Sequence, residues 1–137
     1  MHKATTSWQS KMSFDTDLDG HHIVMDASPE FGGEEKGPRP KQMLLAALGG
    51  CTGMDVVSLL KKMRVEHEGF NITAQAEASS EHPKIYTSIH LVYEFKGKNL
   101  PEDKIRKAVD LSQERYCSVS AMLRQAAKLT YEIQIVE

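Results

Sequence analysis

PKQMLLAALGGCTGMDVVSLLKK, residues 40–62, is the stretch on which the reading of the whole chain turns. Leu44, Leu45, Leu48, Cys51, Val56, Leu59, Leu60 and Met63 recur at three- and four-residue steps, which is the period of an α-helix. Pro40 suits the first turn, where its missing N–H leaves no bond unmade. Apolar residues fall on more than one face, so the helix is expected to be buried rather than to lie on a surface. Such a helix needs two apolar partners. One small sheet covers one side, and a second copy of the chain would cover the other. Gly49, Gly50 and Gly53 each weaken a helix by about 1 kcal/mol relative to Ala. Placed around Cys51, they point to close packing or access at that thiol. The plainer alternative is that Gly49 and Gly50 let two helices touch.

Strand signals lie on both sides of this helix. KATTSWQSKMSF (3–14) and HHIVMDA (21–27) flank TDLDG, where Asp19-Gly20 suits a turn with positive φ, giving a hairpin or meander of two or three strands. SPEFGGEEKGPRP (28–40) reads as a loop. After the helix, FNITAQAEASS (70–80) alternates through Phe70, Ile72, Ala74, Ala76 and Ala78. IYTSIHLVYEF (85–95) alternates through Ile85, Thr87, Ile89, Leu91, Tyr93 and Phe95, so each predicts a strand with one buried face. Pro101, Glu102 and Asp103 open a second helix whose core face is Ile105, Ala108, Val109 and Ser112. CSVSAMLRQAAK (117–128) reads as a third, shorter helix with Ser118 as N-cap, and LTYEIQIVE (129–137) as a closing strand. The whole is an α+β chain in a single domain, residues 1–137.

Composition excludes several classes. At 137 residues the chain can bury a core without disulfide staples. Seventeen Lys and Arg stand against nineteen Asp and Glu, a net charge of −2. That lacks the basic excess of a nucleic-acid or anionic-membrane binder. No apolar run approaches the roughly 20 residues of a bilayer span, and MHKATTSWQSKM has no signal-peptide core. A cytoplasmic, soluble protein is expected.

The chemistry rests on Cys51 and Cys117, which stand 66 positions apart without a CxxC pair, so zinc-finger spacing is absent. Two plain buried thiols are the default. Cys117, just before a predicted helix N-terminus and two residues after Arg115, has the setting of an activated thiolate. Cys51, in an apolar helix, needs a cation or hydrogen-bond donors to match it, and Arg39, Lys41 and Arg115 are candidates. Asp55, four residues on, shares its helical face and could orient something near the thiol, although a solvated or capping role is the simpler one. His21 and His22 point to opposite faces of a strand and make a poor metal pair. No nucleophile elbow, Walker loop or dinucleotide fingerprint occurs.

PKQMLLAALGGCTGMDVVSLLKK, followed by AVDLSQERYCSVSAML (108–123), resembles the OsmC/Ohr family of osmotically inducible and organic hydroperoxide resistance proteins, over essentially the whole chain. GGC-x-x-x-DVVS with DLS-x-E-x-YCSV looks most like its YhfA-like branch. The resemblance implies an α+β fold with antiparallel sheets around long central helices, in an intertwined homodimer. It implies a peroxidase acting on organic hydroperoxides, with Cys51 as the attacking thiolate and Cys117 as the resolving thiol. A dithiol reductant, a lipoyl group in the best-known relatives, would restore the pair, and no cofactor or metal is implied. This assignment reverses the order that helix position alone suggests for the two cysteines. One departure matters. Active relatives carry an early-strand Arg held by a Glu after the helix-opening proline, and Leu18 and Lys41 occupy those places here. Lys41, His21 or His22 would have to supply the cation. The other reading of the same scaffold is a non-catalytic binding module for a small ligand, or a redox sensor.

Overall fold

The computed structural model describes residues 1–137. It divides into two compact units, Met1–Leu44 and Leu45–Glu137. The first unit is an antiparallel meander of β1 (Thr5–Ser10), β2 (Ser13–Leu18) and β3 (His21–Met25). Asp19 and Gly20 make the β2–β3 turn with φ of 52° and 85°, and the Gly20 N–H donates to Asp17 Oδ1 at 2.8 Å. That is the positive-φ hairpin turn expected of Asp-Gly. After β3, the buried Asp26 carboxylate accepts backbone N–H bonds from Ala27, Glu34 and Lys36. The Ala27 bond is the main reason that the Asp26 carboxyl lies below its ordinary pKa. These bonds fold residues 27–37 onto the end of the strand. A Cβ at Gly33 would collide with the Ala27 carbonyl, so no other residue fits this close approach.

Helix α1 (Pro40–Lys62) begins in the first unit and continues in the second. The second unit adds β4 (Gly69–Ala78), β5 (Tyr86–Lys96), α2 (Glu102–Leu111), a π-helical turn at Ser112–Tyr116, α3 (Ser118–Leu123) and β6 (Lys128–Val136). Its sheet has the order β4-β5-β6. The resemblance implied antiparallel sheets, and β4–β5 is antiparallel, but β5–β6 is parallel. The reason is the connection: α2, the π turn and α3 carry the chain back across the sheet before β6 starts, as a parallel neighbour requires. The third helix ends at Leu123, five residues before its expected limit at Lys128.

The core is built where the two periodicities meet. Leu91, Tyr93 and Phe95 of β5, Val56 and Leu60 of α1, and Ile105, Ala108 and Val109 of α2 are all buried. Phe70 stacks on Phe95 with ring centroids 4.4 Å apart. The expected alternation of β5 fails at its start. The register shifts after Glu77, so Ala78 pairs with Tyr86. An extra residue at this point turns the side chains over. Tyr86 then packs on the core, while Ile85 and Thr87 are exposed.

Two expectations about α1 change. At 23 residues it is long and apolar enough to cross a membrane, contrary to the reading that no run approaches that length. Its glycines and Thr52 interrupt the apolar run without lowering the average enough. In this fold it serves the core of the second unit instead. Leu48, Thr52, Val56 and Leu60, four residues apart, form one buried stripe. The other faces are not covered within the chain: Met54 is 76% exposed and Val57 48%.

Candidate active site

Cys51 sits in the middle of α1, and Cys117 in the extended residue between the π turn and α3. The π turn widens the end of α2, and the Cys117 N–H closes it by donating to the Ser112 carbonyl at 2.8 Å. Such turns recur at functional sites because they re-aim the residue that follows. Here Cys117 is aimed at α1. The two sulfurs and a carboxylate oxygen of Asp55 all lie within 4.8 Å of one another. Both cysteines are free thiols; Cys51 is half-buried and Cys117 is 3% exposed. Sequence separation said nothing about this meeting. It also drew Asp55 as a solvated or capping residue, whereas the fold sets it half-buried beside both thiols.

Cys117, not Ser118, is the N-cap of α3, and its sulfur accepts from the Ser120 N–H at 3.4 Å. Even so, burial dominates and pushes the Cys117 thiol above its ordinary value, against the Ser120 bonds, and the neighbouring Cys51 adds to the rise. Burial also pushes the Cys51 thiol up. There the Val119 N–H, the Cys117 thiol and the Ser118 hydroxyl together outweigh it, so Cys51 ends below the ordinary value, with Asp55 opposing. Ser118 Oγ lies 3.8 Å from Cys51 Sγ. The helix-terminus argument favoured Cys117, whereas the pKa is lowered at Cys51 and raised at Cys117. The α3 N-terminus supplies donors to both sulfurs, and the less buried one has the lowered pKa. The support for Cys51 comes from neutral donors. Neither Arg115 nor any other cation is among its causes; the Arg115 guanidinium lies 6.0 Å over the Tyr116 ring. In the first unit, Arg39 pairs with Glu35, and His22 Nδ1 lies 2.8 Å from Asp15.

Beneath the thiols runs a buried polar network that sequence reasoning missed. Thr52 Oγ1 is 2.7 Å from both Tyr93 OH and Ser112 Oγ. Ser112 donates to Asp55 Oδ2 at 2.9 Å. Gln113 donates to Tyr93 OH at 2.6 Å, and Arg124 donates to the Gln113 side-chain oxygen at 3.1 Å. One signal was available: Thr52 and Ser112 are polar residues at core positions of apolar helices. The network ties α1, β5 and the π turn together and so fixes Asp55 relative to the thiols. Replacing Thr52 with Val leaves Ser112 and Tyr93 hydroxyls short of a partner. It is expected to lower unfolding free energy by about 1–3 kcal/mol in a denaturant titration. A change under about 0.5 kcal/mol, the range of an ordinary surface substitution, would show that the network carries no stability.

Alongside the site, Gly49, Gly50, Gly53, Val57 and Ile72 line an open apolar groove of about 780 Å³.

Residues 33–132 match the sequence profile of the family described as OsmC-like protein. The chain is 35% identical over 135 residues to Protein YhfA of Escherichia coli strain K12, covering 98% of each. A crystal structure of a hypothetical protein from Aquifex aeolicus VF5 superposes with a TM-score of 0.83 at 32% identity, over 100% of this chain and 98% of that one. The organic hydroperoxide resistance protein OhrB of Bacillus subtilis shares the fold, with a TM-score of 0.65 at 18% identity over 98% of both chains.

Proposed function

The chain belongs to the OsmC-like protein family, and from that premise we propose that it is a thiol-dependent peroxidase that reduces organic hydroperoxides through a Cys51/Cys117 dithiol–disulfide cycle. The observation that carries this reading is the asymmetric thiol pair, with both sulfurs within 4.8 Å and the lower pKa on the more accessible one. Cys51 thiolate attacks the outer peroxide oxygen. The O–O bond breaks, the alkoxide takes a proton to leave as an alcohol, and Cys51 becomes a sulfenic acid. The Cys117 sulfur then attacks the Cys51 sulfur, forms the disulfide and expels water. A dithiol reductant, of which a lipoyl group is the type, returns two electrons by exchange.

The resemblance places Leu18 and Lys41 where active relatives carry the Arg and the Glu. Thiolate stabilisation then falls to the Val119, Ser118 and Cys117 donors, which are weaker than a cation. A binding or sensing module would be favoured by that substitution alone. We further propose that the protein acts in the cytoplasm as a homodimer, the second copy covering the apolar groove on α1.

The deciding experiment is the intact mass of reduced protein after one equivalent of an alkyl hydroperoxide, with thiols then blocked. Loss of about 2 Da and of both alkylation sites within seconds is expected. Full alkylation of both thiols after minutes would reject the peroxidase. The pH dependence follows from the same pair. Thiolate fraction rises with pH through the pKa. Cys51 alkylation should therefore rise with a midpoint below that of an ordinary thiol, and Cys117 alkylation should rise only above it. Peptide mapping of alkylated protein from pH 5 to 10 (roughly the span over which thiols titrate) reads both. Equal midpoints would contradict the asymmetry.

A further inference from the structure

We propose that the reduced site binds one thiophilic divalent cation of the zinc class through Cys51, Cys117 and Asp55. This goes beyond the peroxidase reading and does not depend on it, because it requires the thiols and the carboxylate but no turnover. Three donor atoms from two separate segments converge within 4.8 Å, and the chain has no other such group of three His, Cys or acidic donors. In a tetrahedral site, metal–sulfur bonds of about 2.3 Å and metal–oxygen bonds of about 2.1 Å place neighbouring donors roughly 3.5–3.8 Å apart. From 4.8 Å the three need to close by about an ångström.

The donor chemistry selects the ion. Two thiolates and one carboxylate suit zinc, cadmium or cobalt, and exclude calcium and magnesium, which take oxygen ligands. Charge points the same way. The Asp55 carboxylate opposes ionisation of the thiol beside it. For a site built only to hold a thiolate that is a defect. For a site that holds a dication, three anionic donors are what is needed. Ser112 donates to Asp55 Oδ2, which orients the carboxylate. Three protein ligands leave the fourth position to water or to a solute, as in exchangeable rather than closed sites.

Metal and disulfide are then exclusive states of the same sulfurs. In the bound state both thiolates are ligated; one hydroperoxide and two protons convert them to the disulfide, an alcohol and water, and release the ion. The test is a titration of fully reduced protein with cobalt(II) under argon, followed by competition with zinc. One ion per chain is expected, with a thiolate-to-metal charge-transfer band and tetrahedral visible bands that zinc abolishes. The disulfide form and the doubly alkylated protein should bind none, and these controls avoid any question of misfolded variants. Asp55→Asn, checked for folding by circular dichroism, should weaken binding at least tenfold, the range of losses seen when a group supporting a metal site is removed. Absence of the charge-transfer band, an octahedral spectrum, or affinity unchanged in Asp55→Asn would each overturn the proposal. Hydroperoxide consumption with or without metal does not bear on it, so the two readings fail separately.

Discussion

Cys51→Ser is expected to lose hydroperoxide consumption to the background, a fall on the order of 10³-fold or more, as when the nucleophile of an enzyme is removed. The serine hydroxyl is close in volume but stays protonated at neutral pH, and without a thiolate there is nothing to attack the O–O bond. Cys117→Ser should behave differently. Cys51 keeps the Val119 N–H and Ser118 hydroxyl as donors, so the first oxidation proceeds. It then halts at the sulfenic acid, one equivalent per chain, trappable by a dimedone probe. The hydroxyl that replaces the Cys117 thiol would still accept from the Ser120 N–H, so the α3 cap survives and the comparison is one of chemistry rather than of folding. A rapid-mixing assay with a small alkyl hydroperoxide separates the two. If Cys51→Ser consumes peroxide at the wild-type rate, or if Cys117→Ser does so through many turnovers, the dithiol cycle is wrong.

The roles proposed for the two thiols come, at the level of sequence, from the family motif alone. Local position pointed the other way, because Cys117 precedes a helix and Cys51 lies within one. The lowered pKa that favours Cys51 comes from its lesser burial and the destination of two particular donors, the Val119 N–H and the Ser118 hydroxyl. Both are effects of how α3 lies against α1, and chain order does not encode that. The helices and strands were legible for the opposite reason: periodicity in α1, β4 and α2 is local. The errors fell where a single non-local event intervened. A register shift beside Glu77 undid the alternation at Ile85 and Thr87, and the return path through α2 made β6 parallel. Asp55 shows the limit most clearly. Its helical spacing from Cys51 was visible, but its contact with Ser112 and Cys117 depends on a π turn that no composition rule predicts.

Gly50→Leu is expected to abolish the proposed homodimer, and its effect on the single chain makes the result decisive. Apart from the helix's own backbone, no heavy atom lies within 4 Å of the place a Cβ would take at Gly49 or Gly50. Neither glycine is therefore needed for packing within the chain, and each weakens α1 by about 1 kcal/mol relative to a good helix former. Their surroundings are apolar, with Met54 and Val57 exposed on the same helix. An uncovered apolar groove beside helix-weakening glycines makes physical sense if a second copy approaches α1 closely there. A leucine would then occupy the partner's space, and overpacking of a fitted contact costs about 1–3 kcal/mol in each copy. At micromolar concentration, light scattering should show the wild-type chain at twice its monomer mass and Gly50→Leu at the monomer mass. Thermal stability should fall with it, since the apolar faces return to water. The opposite signs are equally clear. If nothing packs on the groove, Gly50→Leu gains helix propensity and meets no clash. A variant of unchanged mass and raised melting temperature would remove the homodimer through this groove, and would leave the glycines to serve access to Cys51 instead.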